Sequence, residues 1–171
     1  MSNTINPLKS IPFWVIIISV LLADVFSKYA VFEWLENKPN QHVELIGKYI
    51  AFSKHINEGA VWGIASGKYI FLVVVKIAVM GFIIVIAQKT HEKFKLIALA
   101  LIFGGACGNL YDRLFTQTVQ DGKIIYGVRD FIDIGVSSSL RWPVFNIADI
   151  TIVIGVILFT FCSLWKSKRK E

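Results

Sequence analysis

RWPVFNIADITIVIGVILFTFCSLWKSKRK, residues 141–170, opens like a loop, becomes an apolar run and ends in a cluster of cations. That order reads as a membrane-spanning helix with a basic flank. The difficulty lies near its start, where Asn146 and Asp149 stand one turn apart. A carboxylate at mid-bilayer costs about 2.5–3.5 kcal/mol on insertion scales, so Asp149 needs polar partners from elsewhere in the chain.

Composition points the same way. Over 171 residues, 55% are hydrophobic and the mean hydropathy is +0.61, too apolar for a soluble domain of this size. A single integral membrane domain spanning residues 1–171 is expected. The net charge of +6 does not read as nucleic-acid affinity, because the Lys and Arg residues sit at the ends of apolar segments and not on one polar face. Cys107 and Cys162 lie inside apolar stretches without metal-ligand spacing and read as reduced packing residues.

Four segments are long enough to span: 12–35, 69–88, 96–115 and 144–165. They predict an all-α membrane protein of four transmembrane helices. The first, interrupted by Asp24, reads as an uncleaved helix and not as a signal peptide. Ionisable residues stand inside three of the spans: Asp24 and Lys28, Lys76, and Asp149. Orientation follows from basic flanks. Lys9, then Lys89, Lys93 and Lys95, then Lys166, Lys168, Arg169 and Lys170 place both termini and the connector after the second helix in the cytoplasm. The two long connections, 36–68 and 116–143, are then extracytoplasmic.

With that topology, distant polar residues reach one depth. Asp24 and Lys28 lie in the outer half of the first helix, Asn109, Asp112 and Arg113 at the outer end of the third, and Asn146 and Asp149 at the start of the fourth. Asp149 is tolerable if it faces this shared cluster, and the helix N-terminus adds about 0.3–1 kcal/mol for an anion. The first connection, "HVELIGKYIAFSKHINEGAVWGIASG" (42–67), has β-branched and aromatic runs followed by glycines, which suggests a small extracytoplasmic sheet between helices 1 and 2. The second connection has a possible strand at 124–128 and acids at Asp130 and Asp133.

Each residue also has a plainer role. Asn146 and Asp149 suit a helix cap. Asp24 with Lys28 suits a structural intramembrane pair, and Asp112 with Arg113 an interfacial ion pair. Lys76 suits snorkelling or an unseen partner, and the glycines of 104–108 suit close helix packing. Trp34, Trp62 and Trp142 suit interfacial anchoring. His42, His55 and His91 lack ligand spacing, so no metal is expected.

Five stretches in order, "ADVFSK" (23–28), "NEGAVWG" (57–63), "GGACGNLYDRL" (104–114), "VRDFID" (128–133) and "FNIAD" (145–149), resemble the bacterial lipoprotein signal peptidase family, also called signal peptidase II. The resemblance spans nearly the whole chain. It implies a membrane-embedded aspartyl endopeptidase of the bacterial cytoplasmic membrane. Such an enzyme cleaves prolipoproteins on the amino side of a diacylglyceryl-modified Cys, at the outer leaflet. Spacing alone does not select two acids among Asp24, Asp112, Asp130, Asp133 and Asp149; the resemblance implies Asp130 and Asp149 as the catalytic pair. It further implies that Asn57, Gly59, Asn109, Arg113 and Asn146 line the site and that Asp24 and Lys28 support it.

Amide hydrolysis needs a base for water and an acid for the carbonyl oxygen or leaving nitrogen, and two close carboxylates sharing one proton supply both. The expected partners are the prolipoprotein and membrane lipid, with no cofactor and no nucleic acid, and a monomer is expected. Arg129 departs from the family pattern, where Val is common; a cation beside Asp130 could lower that acid's pKa, and the sequence leaves its effect open. A small ion or proton transporter, a non-catalytic lipid-binding protein and a metal-dependent lipid enzyme are the competing readings.

Overall fold

The computed structural model describes residues 10–59, 69–120, 123–137 and 140–168. Lys9, the 60–63 part of the "NEGAVWG" motif with Trp62, and the basic residues Arg169 and Lys170 lie outside them. Four helices are long and apolar enough to cross a membrane: α1 (Ile11–Glu36), α2 (Tyr69–Gln88), α3 (Lys93–Phe115) and α4 (Ile147–Lys168). Among the described residues five strands accompany them: β1 (His42–Ile46), β2 (Ile50–Asn57), β3 (Gln117–Gln120), β4 (Lys123–Tyr126) and β5 (Val128–Ile134).

Two helix starts differ from expectation. α3 begins about one turn earlier, at Lys93 after Glu92. α4 begins later, at Ile147, because Asn146 is its cap and not part of its first turn. Pro143 and the strand-like pairing of Phe145 keep the approach to α4 extended.

α3 is the hub, packing on α4, α1 and α2. Small residues let its neighbours come close. A Cβ on Gly105 would stand 2.5 Å from the Ala148 carbonyl oxygen of α4, and one on Gly108 would collide with the Asp24 carboxylate of α1. The packing role of the 104–108 glycines is therefore the observed one. α1 turns a single stripe inward, namely Phe13, Ile17, Val20, Asp24, Lys28, Phe32 and Leu35. Both of its intramembrane charges lie on that stripe, so neither faces lipid. At the end of the bundle away from the sheets, Phe13, Ile17, Ile83, Ala87, Leu96, Leu99 and Ala100 form an apolar core.

At the other end, β1, β2 and β5 make an antiparallel sheet in the order β1-β2-β5, and β3 with β4 makes a separate hairpin. The sheet thus draws on both long connections and not on the first alone. The expected strand at 124–128 resolves into β4 and the start of β5, and Asp130 lies inside β5. Trp34 of α1, Phe52 of β2 and Phe131 of β5 meet edge to face at 6.3 and 5.4 Å between ring centroids, which seats the sheet on the end of α1.

Candidate active site

Asp130 and Asp149 are nineteen residues apart in sequence, and a backbone stitch brings them together. The N–H groups of Phe131 and Ile132 donate to the Phe145 carbonyl at 3.0 and 2.8 Å, and the Phe145 N–H donates back to Ile132 at 3.0 Å. The entry to α4 is thereby fixed alongside β5. One residue beyond Phe145 is Asn146, and two residues before Ile132 is Asp130.

Asn146 then touches both acids. Its amide Nδ2 donates to Asp130 Oδ1 at 2.6 Å and to Asn109 Oδ1 at 3.0 Å. Its Oδ1 accepts the Asp149 N–H at 3.0 Å, while its own N–H donates to Asp149 Oδ2 at 3.2 Å. This reciprocal exchange is a capping box with Asp in the third helical position. The cap reading and the site reading of these residues therefore hold together. The next donor of the first turn, the Ala148 N–H, is satisfied from α1 by Asp24 Oδ1 at 2.8 Å.

The remaining oxygens of the pair are held by two further amides. Asn109 Nδ2 donates to Asp149 Oδ1 at 2.8 Å, and Asn57 Nδ2 donates to Asp130 Oδ2 at 3.0 Å. All four carboxylate oxygens thus accept one N–H from a neutral group, leaving each a lone pair for a proton or water. Asp130 is 1% exposed and Asp149 is half-buried. Burial is the chief cause that pushes the Asp130 carboxyl from 3.8 up to about 7; the negative charge of Asp149 adds to it, and the Asn57 and Asn146 hydrogen bonds oppose it.

A second network lies behind the pair and is made of full charges. Lys28 Nζ contacts Asp24 Oδ2 at 2.6 Å, Asn109 Oδ1 at 3.0 Å and Asp112 Oδ2 at 3.5 Å. Asp112 in turn accepts from the Arg129 guanidinium at 2.6 and 3.1 Å and from its backbone N–H at 2.8 Å. The guanidinium carbon of Arg129 sits 3.9 Å over the Tyr29 ring. Arg129 is therefore committed to Asp112 and Tyr29 and makes no ion pair with Asp130 among the described residues. Consecutive strand residues point to opposite faces, which separates the two side chains.

Arg113 does not pair with Asp112 either. It donates from Nη1 to the Glu58 carbonyl at 3.1 Å and from Nη2 to the Gly59 carbonyl, and its Nε is buried with no partner among the described residues. The Gly59 N–H donates to Asn57 Oδ1 at 3.1 Å. Arg113 thus holds the turn that aims Asn57 at Asp130. Of the residues expected at the site, Asp24, Lys28, Asn57, Gly59, Asn109, Arg113, Asp130, Asn146 and Asp149 all fall in this connected group. Asp133 falls outside it, bound to Arg141 at 2.6 Å and to Ser53 at 3.0 Å. Arg129 and Tyr29 were not expected as supports; the alternation of β5 is the signal that separates Arg129 from Asp130. Among the described residues, no cluster of three His, Cys, Asp or Glu side chains is arranged for a metal ion.

A family model described as signal peptidase (SPase) II matches residues 16–165. A bacterial membrane enzyme solved by the in meso method at 2.3 Å resolution is similar at 31% identity and a TM-score of 0.78, over 94% of this chain and 92% of the other. A second structure, a bacterial membrane enzyme solved by the same method at 1.9 Å, is similar at 32% identity and a TM-score of 0.73, over 90% of this chain and 92% of the other.

Proposed function

From the premise that this chain belongs to the signal peptidase II family and is a lipoprotein signal peptidase of the membrane, we propose that it works as an aspartyl endopeptidase with Asp130 and Asp149 as the catalytic pair. One observation carries the assignment. Asn146 hydrogen-bonds both carboxyl groups, and no cation makes an ion pair with either among the described residues. Two acids held close by neutral amides share one proton, because the second ionisation in a buried site is disfavoured. The ionised member takes a proton from water as the water attacks the peptide carbonyl, and the protonated member donates its proton to the carbonyl oxygen; on collapse the proton taken from water passes to the leaving nitrogen as the C–N bond breaks, and a gem-diol hydroxyl returns a proton to the other carboxylate, so the pair again holds one proton. Arg113, by holding the turn after Asn57, and Asn57 itself shape the approach to Asp130.

The substrate is a prolipoprotein whose Cys carries a diacylglyceryl group, cut on the amino side of that Cys. The site lies where the helices meet the sheet, so acyl chains can stay in lipid while the scissile bond meets water. The sheet end faces outward from the bacterial cytoplasmic membrane, both termini face the cytoplasm, and the chain acts as a monomer. The density of Lys at 89–95 and 166–170 supports that orientation.

Purified protein in detergent, given a diacylglyceryl-modified precursor and its unmodified form, should release signal peptide from the first alone. Equal cleavage of both would overturn the substrate assignment. Labelling from outside the cell should reach a Cys introduced at Gln41 and miss one at Thr90.

A further inference from the structure

α2 carries one charge, Lys76, in a helix otherwise made of apolar residues up to Gln88. On a helix bathed in lipid that residue could face anywhere. Its neighbours Val74, Val75, Ile77 and Val79 are 58, 41, 55 and 48% exposed, whereas Lys76 is half-buried and shares a helix face with Leu72, Ile83 and Ala87. α2 packs on α3. Counting up both helices from the short α2–α3 turn, at 1.5 Å per residue, places Lys76 about one turn below Asn109. A lysyl stem directed toward the sheet end spans about that distance.

The charged groups near enough to act on Lys76 electrostatically belong to the site: Arg113 of α3, Asp149 of α4, Lys28 of α1 and Asp130 of β5. The other cations of the cluster are committed, Lys28 to Asp24, Asn109 and Asp112, Arg129 to Asp112, and Arg113 to two carbonyls. Lys76 makes no hydrogen bond or ion pair with any described residue. It is the cation near the pair whose ammonium group is left to respond to it.

We propose that Lys76 is a positioning residue for the carboxylate pair: its ammonium group, reaching from α2 toward Asp149 and Asp130, favours negative charge there and sets the pH window in which the pair keeps one proton. This rests on the reading of Asp130 and Asp149 as catalytic. A nearby cation makes each loss of a proton easier, so both edges of the window lie at lower pH with Lys76 than without it. For unit charges about 10 Å apart at an effective dielectric near 20, the displacement is about one pH unit.

The test is the pH profile of kcat/KM for the acylated precursor, measured on the parent, Lys76→Met and Lys76→Arg proteins in the same detergent. The expected result for Lys76→Met is a profile moved up by about one pH unit at both edges with KM little changed, and for Lys76→Arg a return to the parent profile. A Lys76→Met profile that superimposes on the parent overturns the proposal, as does a change confined to KM. Lys76→Gln covers the case in which the Met variant does not fold; failure of both to fold while Arg folds makes Lys76 structural and also overturns it. Asp130→Asn in the same assay separates the premise: full turnover there refutes the catalytic pair itself, whereas lost turnover beside an unshifted Lys76→Met profile refutes only the role of Lys76.

Discussion

Two groups of acids lie side by side in this molecule and are held in opposite ways. Asp24 and Asp112 are gripped by Lys28 and Arg129, cations at 2.6 Å in each case. Asp130 and Asp149 are gripped by Asn57, Asn109 and Asn146, which carry no charge. A cation grips a buried carboxylate through charge-assisted hydrogen bonds, and the pair then joins elements firmly. An amide fixes the position of a carboxyl group while leaving its proton negotiable. The first arrangement suits a brace and the second suits proton transfer.

The sharpest way to break this comparison is to remove acid function without changing shape. Asp130→Asn and Asp149→Asn should each lose turnover by about 10²–10⁴-fold or more, the usual worth of a general acid or base. Both proteins should remain folded. Asn at 149 can still accept the Asn146 N–H, so the cap survives. Cleavage of the acylated precursor, read beside thermal unfolding, checks both halves of the statement. Near-parental cleavage by a folded Asp149→Asn protein would restore a purely structural cap.

The braced acids should show the reverse balance. Asp112→Asn leaves the buried Arg129 and part of the Lys28 contact without a counter-charge, and Arg129→Gln strips Asp112 of its bidentate partner. Breaking such a buried pair costs about 3–5 kcal/mol, so unfolding should come at clearly lower temperature or denaturant. What remains folded should cleave with the parental pH profile. A stable Asp112→Asn protein with no turnover would place Asp112 in the chemistry and erase the contrast.

The residues of this contrast are legible in the sequence, but their pairing is not. Four helices and the inward face of α1 followed from the apolar runs and from the charges within them, since a charge in a membrane helix marks the side away from lipid. Periodicity alone could not have done so, because these helices are apolar on most sides and the bilayer does not penalise an outward Leu. Asp112 beside Arg113 looked like a local ion pair, yet a helix turns adjacent residues about 100° apart, and Asp112 found Arg129 on a strand instead. The β5 strand was the least visible element. Its partner β2 comes from the other connection, so no local hairpin signal announces it. The separation of the Arg129 and Asp130 side chains depends on that strand, so adjacency in the sequence left the effect of Arg129 open.

A smaller effect sharpens the comparison through pH. Asp130 titrates at about 7 in the folded protein against 3.8 ordinarily, so between those values the folded protein keeps a proton that the unfolded chain gives up. Stability contributed by this group therefore falls as pH rises from 3.8 to about 7 and stays low above it. Asp130→Asn has no such proton to lose. Its thermal midpoint should exceed the parent's at pH 8 and approach it near pH 4. Turnover by the parent should decline as pH rises through about 7, when the shared proton leaves. An unfolding temperature for the parent that rises steadily across this range would refute the buried, protonated state of Asp130.

The smallest effect is expected at Asp133, three residues along the same strand from Asp130. It resembles the braced acids in being paired with a cation, Arg141 at 2.6 Å, but it lies beyond both networks. Ser53 donates to it at 3.0 Å, and Arg141 also donates to the Lys48 carbonyl at 2.9 Å. These contacts tie the loop after β5 to β2 and to the turn before it, and none reaches Asn146, Asn109 or Asn57. Arg141 is about a quarter exposed, so water can replace part of what is lost. Asp133→Asn keeps the acceptor oxygen for Ser53 or Arg141 and removes only the charge. The expected result is a stability loss of about 1–2 kcal/mol, in the range of one charge-assisted hydrogen bond, with turnover within a few-fold of the parent and an unchanged pH profile. Abolished turnover in a folded Asp133→Asn protein would mean that the wrong acid of the Asp-Phe-Ile-Asp run had been assigned to the pair. An Asp130→Asn protein measured alongside it distinguishes that outcome from a general sensitivity of the strand, because only the acid that shares the proton should lose the chemistry while leaving the sheet intact.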